Sequence, residues 1–579
     1  MKNRTLNSLI SLFIIFSFNV YPATTRTLDA PNKGDSKEKY GGQLVLSTIA
    51  DPKSFNPIVS KEANVSAIMG LIFEGLTTTN AVTTDVEPHL AKSWQISEDG
   101  YTYTFFLRED VKWFDGKEFT SDDVVFTFNQ LIYNPDIPTS ARDIFTIAGN
   151  QLKVEKVDKF TVKFTLPVKF APFLRSMGHE ILPKHILEDV VKKGEFNSFW
   201  GLDADLKGII GTGPFKLLRY EPAERIVFEK NPDYWKSSKE GDGLPYIDKI
   251  IYIIVQNQDV GLLKFQEGQL DYYSLRGQDF PILKPKEKEG NFTVYNTGPA
   301  FGTNYLVFNQ NRDINPQTNK PYVDPIKLKW FSNKKFRKAI AHSIDKQSII
   351  NIVMNGLGFP QDSAMSPSSG FFYNPNVTKY DYDIEKAKAI LKEAGIYDRN
   401  NDGEAEDEEG NNIEFNFFTN TGNTDRIEIA KIVRSDLERL GFKINFVPLA
   451  FNQIANKLDA TFDWDMIMLG LTGGIEPHFG NNVWQSSGQL HMWYPRQKKP
   501  ATEWEAEINR IFDQGVQELD NNRRKALYDR WQEIVADELP FIYTVLPASI
   551  FAVRNKFGNL NPTPYGGAFH NLEEIYIKK

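Results

Sequence analysis

The sequence contains no cysteine. That absence excludes disulfides, thiolate metal sites and a cysteine nucleophile, and it leaves no thiol to carry a lipid. Histidine is scarce: the seven residues are His89, His179, His185, His342, His478, His491 and His570. None forms an H-E-x-x-H pair, so the common zinc hydrolase arrangement is missing. There is no G-x-S-x-G elbow and no G-x-x-x-x-G-K-[ST] phosphate loop. Ser332/Lys335 and Ser343/Lys346 match S-x-x-K, but the S-D-N and K-T-G companions are absent. With no catalytic constellation above background, the chain is read as a non-enzyme. Basic tracts are also lacking, and a net charge of -8 argues against a nucleic-acid partner.

What is present is an ordinary globular balance in a long chain. The 579 residues are 41% hydrophobic and 25% charged, which implies more than one core. Aromatic residues are abundant, with 43 Phe, 23 Tyr and 10 Trp. At the start, Lys2 and Arg4 precede an apolar run from Leu9 to Val20. The run is short for a bilayer span and has the shape of a secretory signal over residues 1–23, cleaved after Ala23, although Tyr21 stands where a small residue is usual. The alternative is an N-terminal membrane anchor. Residues 24–40 are polar and read as a flexible leader. Export without a lipid-bearing cysteine implies a soluble, non-lipidated protein in a periplasm.

Along the chain the pattern changes character. "GYTYTFFLRED" and "KFTVKFTLPVKF" alternate with period two and predict strands. Phe336 to Gly358 predicts one helix with Phe336, Ile340 and Ile344 on a face and Arg337 as a solvated charge. "DIEKAKAILKEAG" and "NTDRIEIAKIVRSDLERLG" predict two more, stopped by Gly395 and Gly441. The strand candidates "IEFNFFTN", "FKINFVPL" and "DWDMIMLG" interleave with these helices. Such alternation predicts an α/β fold with a sheet covered on both faces.

"DRNNDGEAEDEE" places Asp398, Asn400, Asp402, Gly403 and Glu409 at the first, third, fifth, sixth and twelfth positions of an EF-hand loop. A helix enters this loop but a strand leaves it, and no second loop exists to pair with it. The loop therefore predicts at most a structural calcium. Its ligands would be Asp398, Asn400, Asp402, the Glu404 carbonyl, Glu406 through water, and Glu409. The alternative is an Asn/Asp/Gly turn kept soluble by its acids, with no cofactor at all.

Several stretches together resemble one family. "HLAKSWQISEDGYTYTFFLREDVKWFDGKEFTSDDVVFTF", "GTGPFKL", "NPDYW", "GQLDYY" and "KKFRKAIAHSIDKQSIINIVMNGLG" occur in the order found in bacterial extracellular solute-binding proteins of family 5. The resemblance runs from about Gly41 to the C-terminus. It implies a two-lobed, three-domain periplasmic-binding-protein-like fold of type II that closes about a hinge. The implied segments are 41–87, 206–300 and 547–579 for a discontinuous first domain, 88–205 for the second and 301–546 for the third. Members of the family often carry an acidic turn like the one above, which makes the loop a local family feature.

The resemblance also implies a function: capture of short peptides between the lobes and delivery to an inner-membrane ABC permease, by a monomer that performs no chemistry. The residues from Asp465 run as a buried strand into Gly470, Leu471, Thr472 and Gly473, where exposed backbone can pair with an extended peptide. In peptide-binding members an Asp-Pro pair near this point holds the ligand's α-amino group, and this sequence has Glu476-Pro477 there. Thr48, Ile49 and Ala50 match a second ligand-side edge, and Trp484 is a candidate pocket wall. Two alternatives remain. One is the same role for a nickel complex, an oligosaccharide or another solute; the other is a secreted hydrolase.

Overall fold

The structure is a computed structural model that describes residues 36–60, 63–147 and 149–579. The signal and most of the leader predicted from the sequence lie outside the described residues. Lys39–Lys579 clusters as one body, and everything below concerns it.

One sheet holds the candidate strand. Its five strands run in the order Lys443–Leu449, Glu414–Asn420, Met466–Leu471, Thr303–Phe308, Phe541–Tyr543. The first three are parallel, and the last two pair antiparallel. Met466 to Leu469 is buried without alternation, as expected for a central strand covered on both faces. One face meets the helices Lys334–Ser343, Ile384–Glu393 and Thr424–Glu438 through Phe336, Ile340, Leu391 and Val433. The other meets Glu503–Gly515 and Asn521–Glu538 through Phe512, Tyr528 and Trp531. The α/β expectation is met.

Two details differ from the sequence reading. The helix expected across Phe336 to Gly358 is two helices, Lys334–Ser343 and Lys346–Ile352. Ile344 is extended, and the Asp345 side chain accepts from the Ser348 N–H, so an N-cap starts the second helix where the first stops. Arg337 is buried rather than solvated. Its guanidinium donates to the carbonyls of Phe331 and Glu538, at 2.7 and 3.0 Å.

Among the described residues three further sheets have more than two strands. Gln43–Thr48, Lys249–Ile254, Arg225–Lys230 and Phe215–Glu221 form one. Ala91–Ile96, Thr102–Leu107, Thr161–Thr165 and Lys153–Asp158 form a second, in which Tyr103, Phe105 and Leu107 alternate inward. The third is built on Val545–Arg554, flanked by Tyr272–Ser274 and Phe292–Pro299. Chain passes between this last sheet and the five-stranded one at two adjacent places: Pro299 to Thr303, and Tyr543 to Val545. The crossings are tied together, Ala300 N–H to the Pro547 carbonyl at 2.9 Å and Thr544 N–H to the Asn304 carbonyl at 3.0 Å.

Candidate functional site

The Met466–Leu471 strand pairs with Glu414–Asn420 only at Met466 and Ile467. Its ladder with Thr303–Phe308 ends at Thr303 opposite Leu471. Past that pair, Thr472 to Gly474 leave the sheet, so their backbone groups are no longer committed to a neighbouring strand. A side chain at Gly473 would place its Cβ 1.7 Å from the Phe301 carbonyl oxygen, so glycine is what allows the loop to lie against the crossing strand. Ser369 Oγ donates to the Gly474 carbonyl at 2.8 Å and Ser366 Oγ to the Ala300 carbonyl at 2.7 Å. These bonds fix loop, crossing and the turn Pro367–Phe372 to one another.

Between them lies a cavity of about 330 Å³. One wall is the loop from Leu471 to Gly474. The others are Met365, Trp484, Trp531, Phe541 and Tyr543, with Phe479 and Leu490 more exposed. Phe301, Thr303, Phe541 and Tyr543 all flank the two crossings, so the cavity sits where the sheets exchange chain.

Glu476 lines the cavity and is buried. Its carboxylate caps the turn Pro477–Gly480 by accepting from the His478 N–H at 3.0 Å. It also receives both arms of the Arg524 guanidinium, at 2.5 and 2.9 Å. Arg524 is held for this by the Gly515 carbonyl, 2.8 Å from its Nε. Burial alone would lower the pKa of Arg524, but the Glu476 carboxylate outweighs it and holds the value above the ordinary one. The carboxylate that the sequence sets in the place of the family's Asp-Pro pair is therefore already paired with a guanidinium. His478, next along, is driven the other way: burial, against an opposing pull from Glu476, lowers it to about 4. Its ring packs against buried Phe170 at 5.5 Å, and the neighbouring Ala171 N–H donates to the Val516 carbonyl at 2.7 Å.

Of the residues expected to bind ligand, Leu471, Thr472, Gly473, Glu476 and Trp484 line the cavity. Gly470 does not. It lies where a Cβ would come within 2.6 Å of an Arg426 nitrogen and 2.5 Å of the Thr303 carbonyl. Thr48, Ile49 and Ala50 are not brought to this cavity either. Thr48 closes the Gln43–Thr48 ladder opposite Ile254, and Ile49 is 66% exposed. Trp531, Arg524 and Met365 went unread. Arg524 sits among helix charges in "NNRRKALYDRW", and only its place on the same helix face as Tyr528 and Trp531 hints at burial.

In the acidic loop, Asp398, Asp402 and Glu406 each bring an oxygen within 4.8 Å of the others. The Asp398 carboxylate accepts from the N–H groups of Asn401 and Gly403, and Asn400 Nδ2 donates to Asp402. One expected ligand position differs: Glu409 pairs with Lys329 at 2.5 Å, outside the group. The cause is the exit from the loop. Glu406 forms bridges with Tyr397 and Asn412 instead of opening a helix, which carries the twelfth position away.

The comparisons agree with this architecture. The family model for bacterial extracellular solute-binding proteins, family 5, matches residues 85–490, and the chain belongs to that family. A Deinococcus radiodurans protein described as a probable ABC transporter-binding protein is 30% identical, over 92% of this chain and 91% of its own length. The oligopeptide-binding protein AppA of Bacillus subtilis is 26% identical, with all of both chains covered. The structure of AppA with a nonapeptide superposes with a TM-score of 0.75 at 26% identity, over 94% of this chain and 100% of that one. NikZ of Campylobacter jejuni in complex with Ni(L-His) has the same fold, with a TM-score of 0.74 at 23% identity, over 92% of this chain and 99% of that one. The fold is thus that of the periplasmic binding proteins. Among the described residues no helix is long and apolar enough to cross a membrane.

Proposed function

We propose that the protein captures short peptides and hands them, unchanged, to the membrane permease of an ABC importer, as a soluble, non-lipidated monomer in the periplasm. The observation that carries this reading is the Leu471–Gly474 loop. Backbone released from a central strand forms a wall of an otherwise apolar cavity, which suits an extended chain that pairs through its own backbone. The oligopeptide specificity of AppA, similar over its whole length, supports the same class of ligand. Capture would use the two crossings at Ala300–Gly302 and Thr544 as the hinge, with ligand shifting the population toward the closed form. In that form the contact of Phe170 and Ala171 with His478 and Val516 is made, and opening breaks it.

Mass spectrometry of solute released from protein purified without refolding tests the reading. Peptides are the expected solute; a nickel complex or an oligosaccharide in their place would overturn it.

For the acidic loop we infer a structural calcium held by Asp398, Asp402 and Glu406, with Asn400 beside them and no role for the Glu409 carboxylate.

A further inference from the structure

The contact between the Phe170 segment and the turn after the Leu471–Gly474 loop contains a titratable ring that the capture of peptides does not use. Phe170 belongs to the core of the sheet that holds Thr102–Leu107, together with Phe105 and Phe164. His478 stands on the turn Pro477–Gly480, on the side of the five-stranded sheet. The two rings meet edge to face, their centroids 5.5 Å apart and their planes at 77°. Ala171, next along, is bonded to Val516 through backbone. A Cβ on Gly100 would stand 3.1 Å from Leu519 Cδ1, so the same two sides also touch there. A cleft that opens has to part this seam.

Shut, the seam has no place for a proton on His478. Its Nδ1 is shielded from water and has no hydrogen-bond partner. A neutral ring can leave that nitrogen as a bare lone pair. An imidazolium carries an N–H on both nitrogens and would bury one of them without an acceptor. An unmet donor and an unmatched charge are each costly away from water. The anion that acts on the ring, Glu476, is already matched by the two arms of Arg524 and accepts a third bond from the His478 N–H. Charged groups on the other segments packed here supply no counter-ion. Lys169 is itself a cation, 6.0 Å from the Tyr101 ring, and Glu518 is paired with Arg523 at 2.9 and 3.0 Å. Burial raises the pKa of Tyr528, so its hydroxyl stays neutral. Burial lowers His478 from the ordinary 6.5 to about 4; Glu476 pulls the other way and Arg524 adds to the fall.

We propose that His478 is an acid-sensitive latch: its ring cannot keep a proton while Phe170 covers it, so protons favour the open seam and a bound peptide favours the shut one. The proposal deepens the capture reading above, whose closure it regulates. Opening lets water reach the ring, which then takes up a proton wherever the pH lies between its shielded and its ordinary value. Closure on a peptide returns that proton to solvent. Affinity should therefore be level above about pH 7 and fall as the pH drops toward 4.

Calorimetry with short alanine–glycine peptides, whose side chains do not titrate, reads the coupling. At pH 5, in two buffers of different ionisation enthalpy, the parent should release between about half a proton and one per peptide bound. Its affinity there should be about tenfold below that at pH 7. His478→Gln and His478→Phe cannot titrate, and should release almost no proton and hold their affinity within about twofold. Small-angle scattering of the peptide-free protein gives a readout without ligand: the parent should expand from pH 7 to pH 5, and neither variant should. A parent that keeps its size or its affinity at pH 5, or variants that respond to acid as the parent does, would overturn the latch. Silence of every peptide at pH 7, with the acid expansion intact, would overturn the peptide reading and leave the latch standing.

Discussion

Arg524 and Glu476 face each other across 48 residues of sequence and meet as a two-pronged ion pair, both side chains almost wholly shielded from water. The pair fastens the turn after the Leu471–Gly474 loop to the Asn521–Glu538 helix. Removing one partner leaves the other charge buried, at a cost of about 3–5 kcal/mol. Glu476→Gln should therefore lower the melting temperature markedly, and Arg524→Met should do the same. Because the carboxylate is committed to Arg524, Glu476→Gln should weaken a free-amine peptide and its N-acetylated counterpart equally. A double-difference calorimetric cycle reads this directly. Selective loss of the free-amine peptide would restore Glu476 as an ammonium anchor.

His478 makes stability depend on pH. Its ordinary value is 6.5 and its folded value about 4, because burial disfavours the charged ring; Glu476 and Arg524 are the charges that act on it. Between these values the unfolded chain takes up a proton that the folded protein does not. Stability from this residue is therefore intact above about pH 6.5 and falls as the pH drops toward 4, by roughly 3 kcal/mol in all. His478→Gln should flatten that part of the profile. Urea unfolding of both proteins at pH 7 and pH 4.5 checks it; equal losses in the two proteins would contradict it.

Gly473 has no room for a methyl group. Its Cβ would meet the Phe301 carbonyl at 1.7 Å, and that atom is backbone on one of the two crossings. Gly473→Ala should cost about 1–3 kcal/mol of stability, as overpacking does, and should weaken peptide binding because loop and crossing must separate. Gly474, with nothing within 4 Å of its Cβ position, is the control, and Gly474→Ala should change the melting temperature far less.

The acidic loop gives a test by metal removal. Chelation should lower the melting temperature, and calcium should restore it. Asp398→Asn should abolish the calcium response, whereas Glu409→Gln should leave it intact because Lys329 already occupies that side chain. A stripped protein whose melting does not respond to calcium would remove the site.

Much of what surrounds the five-stranded sheet was legible in the sequence. Helices ending at Gly395 and Gly441 announce themselves through apolar spacing and a glycine with positive φ, both local signals. Asp345 was overlooked because an aspartate inside an apolar rhythm reads as a surface charge, yet its side chain restarts the helix. The strand was also legible from its apolar run, but the sequence ends it at Leu469, whereas its ladder with Thr303–Phe308 carries on through Gly470 to Leu471. Arg524 and Trp531 were not legible. Trp531 reaches the cavity, and Arg524 the Glu476 carboxylate, only by the packing of a helix distant in sequence, and nothing local distinguishes them from the charges and aromatics around them. Glu409 misled for the opposite reason: loop spacing is local, but where position twelve points depends on whether a helix or a bridge follows.

Titration of one preparation of the protein with short peptides, with a nickel–histidine complex and with an oligosaccharide, followed by calorimetry, tests peptide capture most directly. Saturable one-site binding of peptides, with no heat from the other two, is the predicted result. Binding of the nickel complex or the oligosaccharide, with every peptide silent, would contradict it.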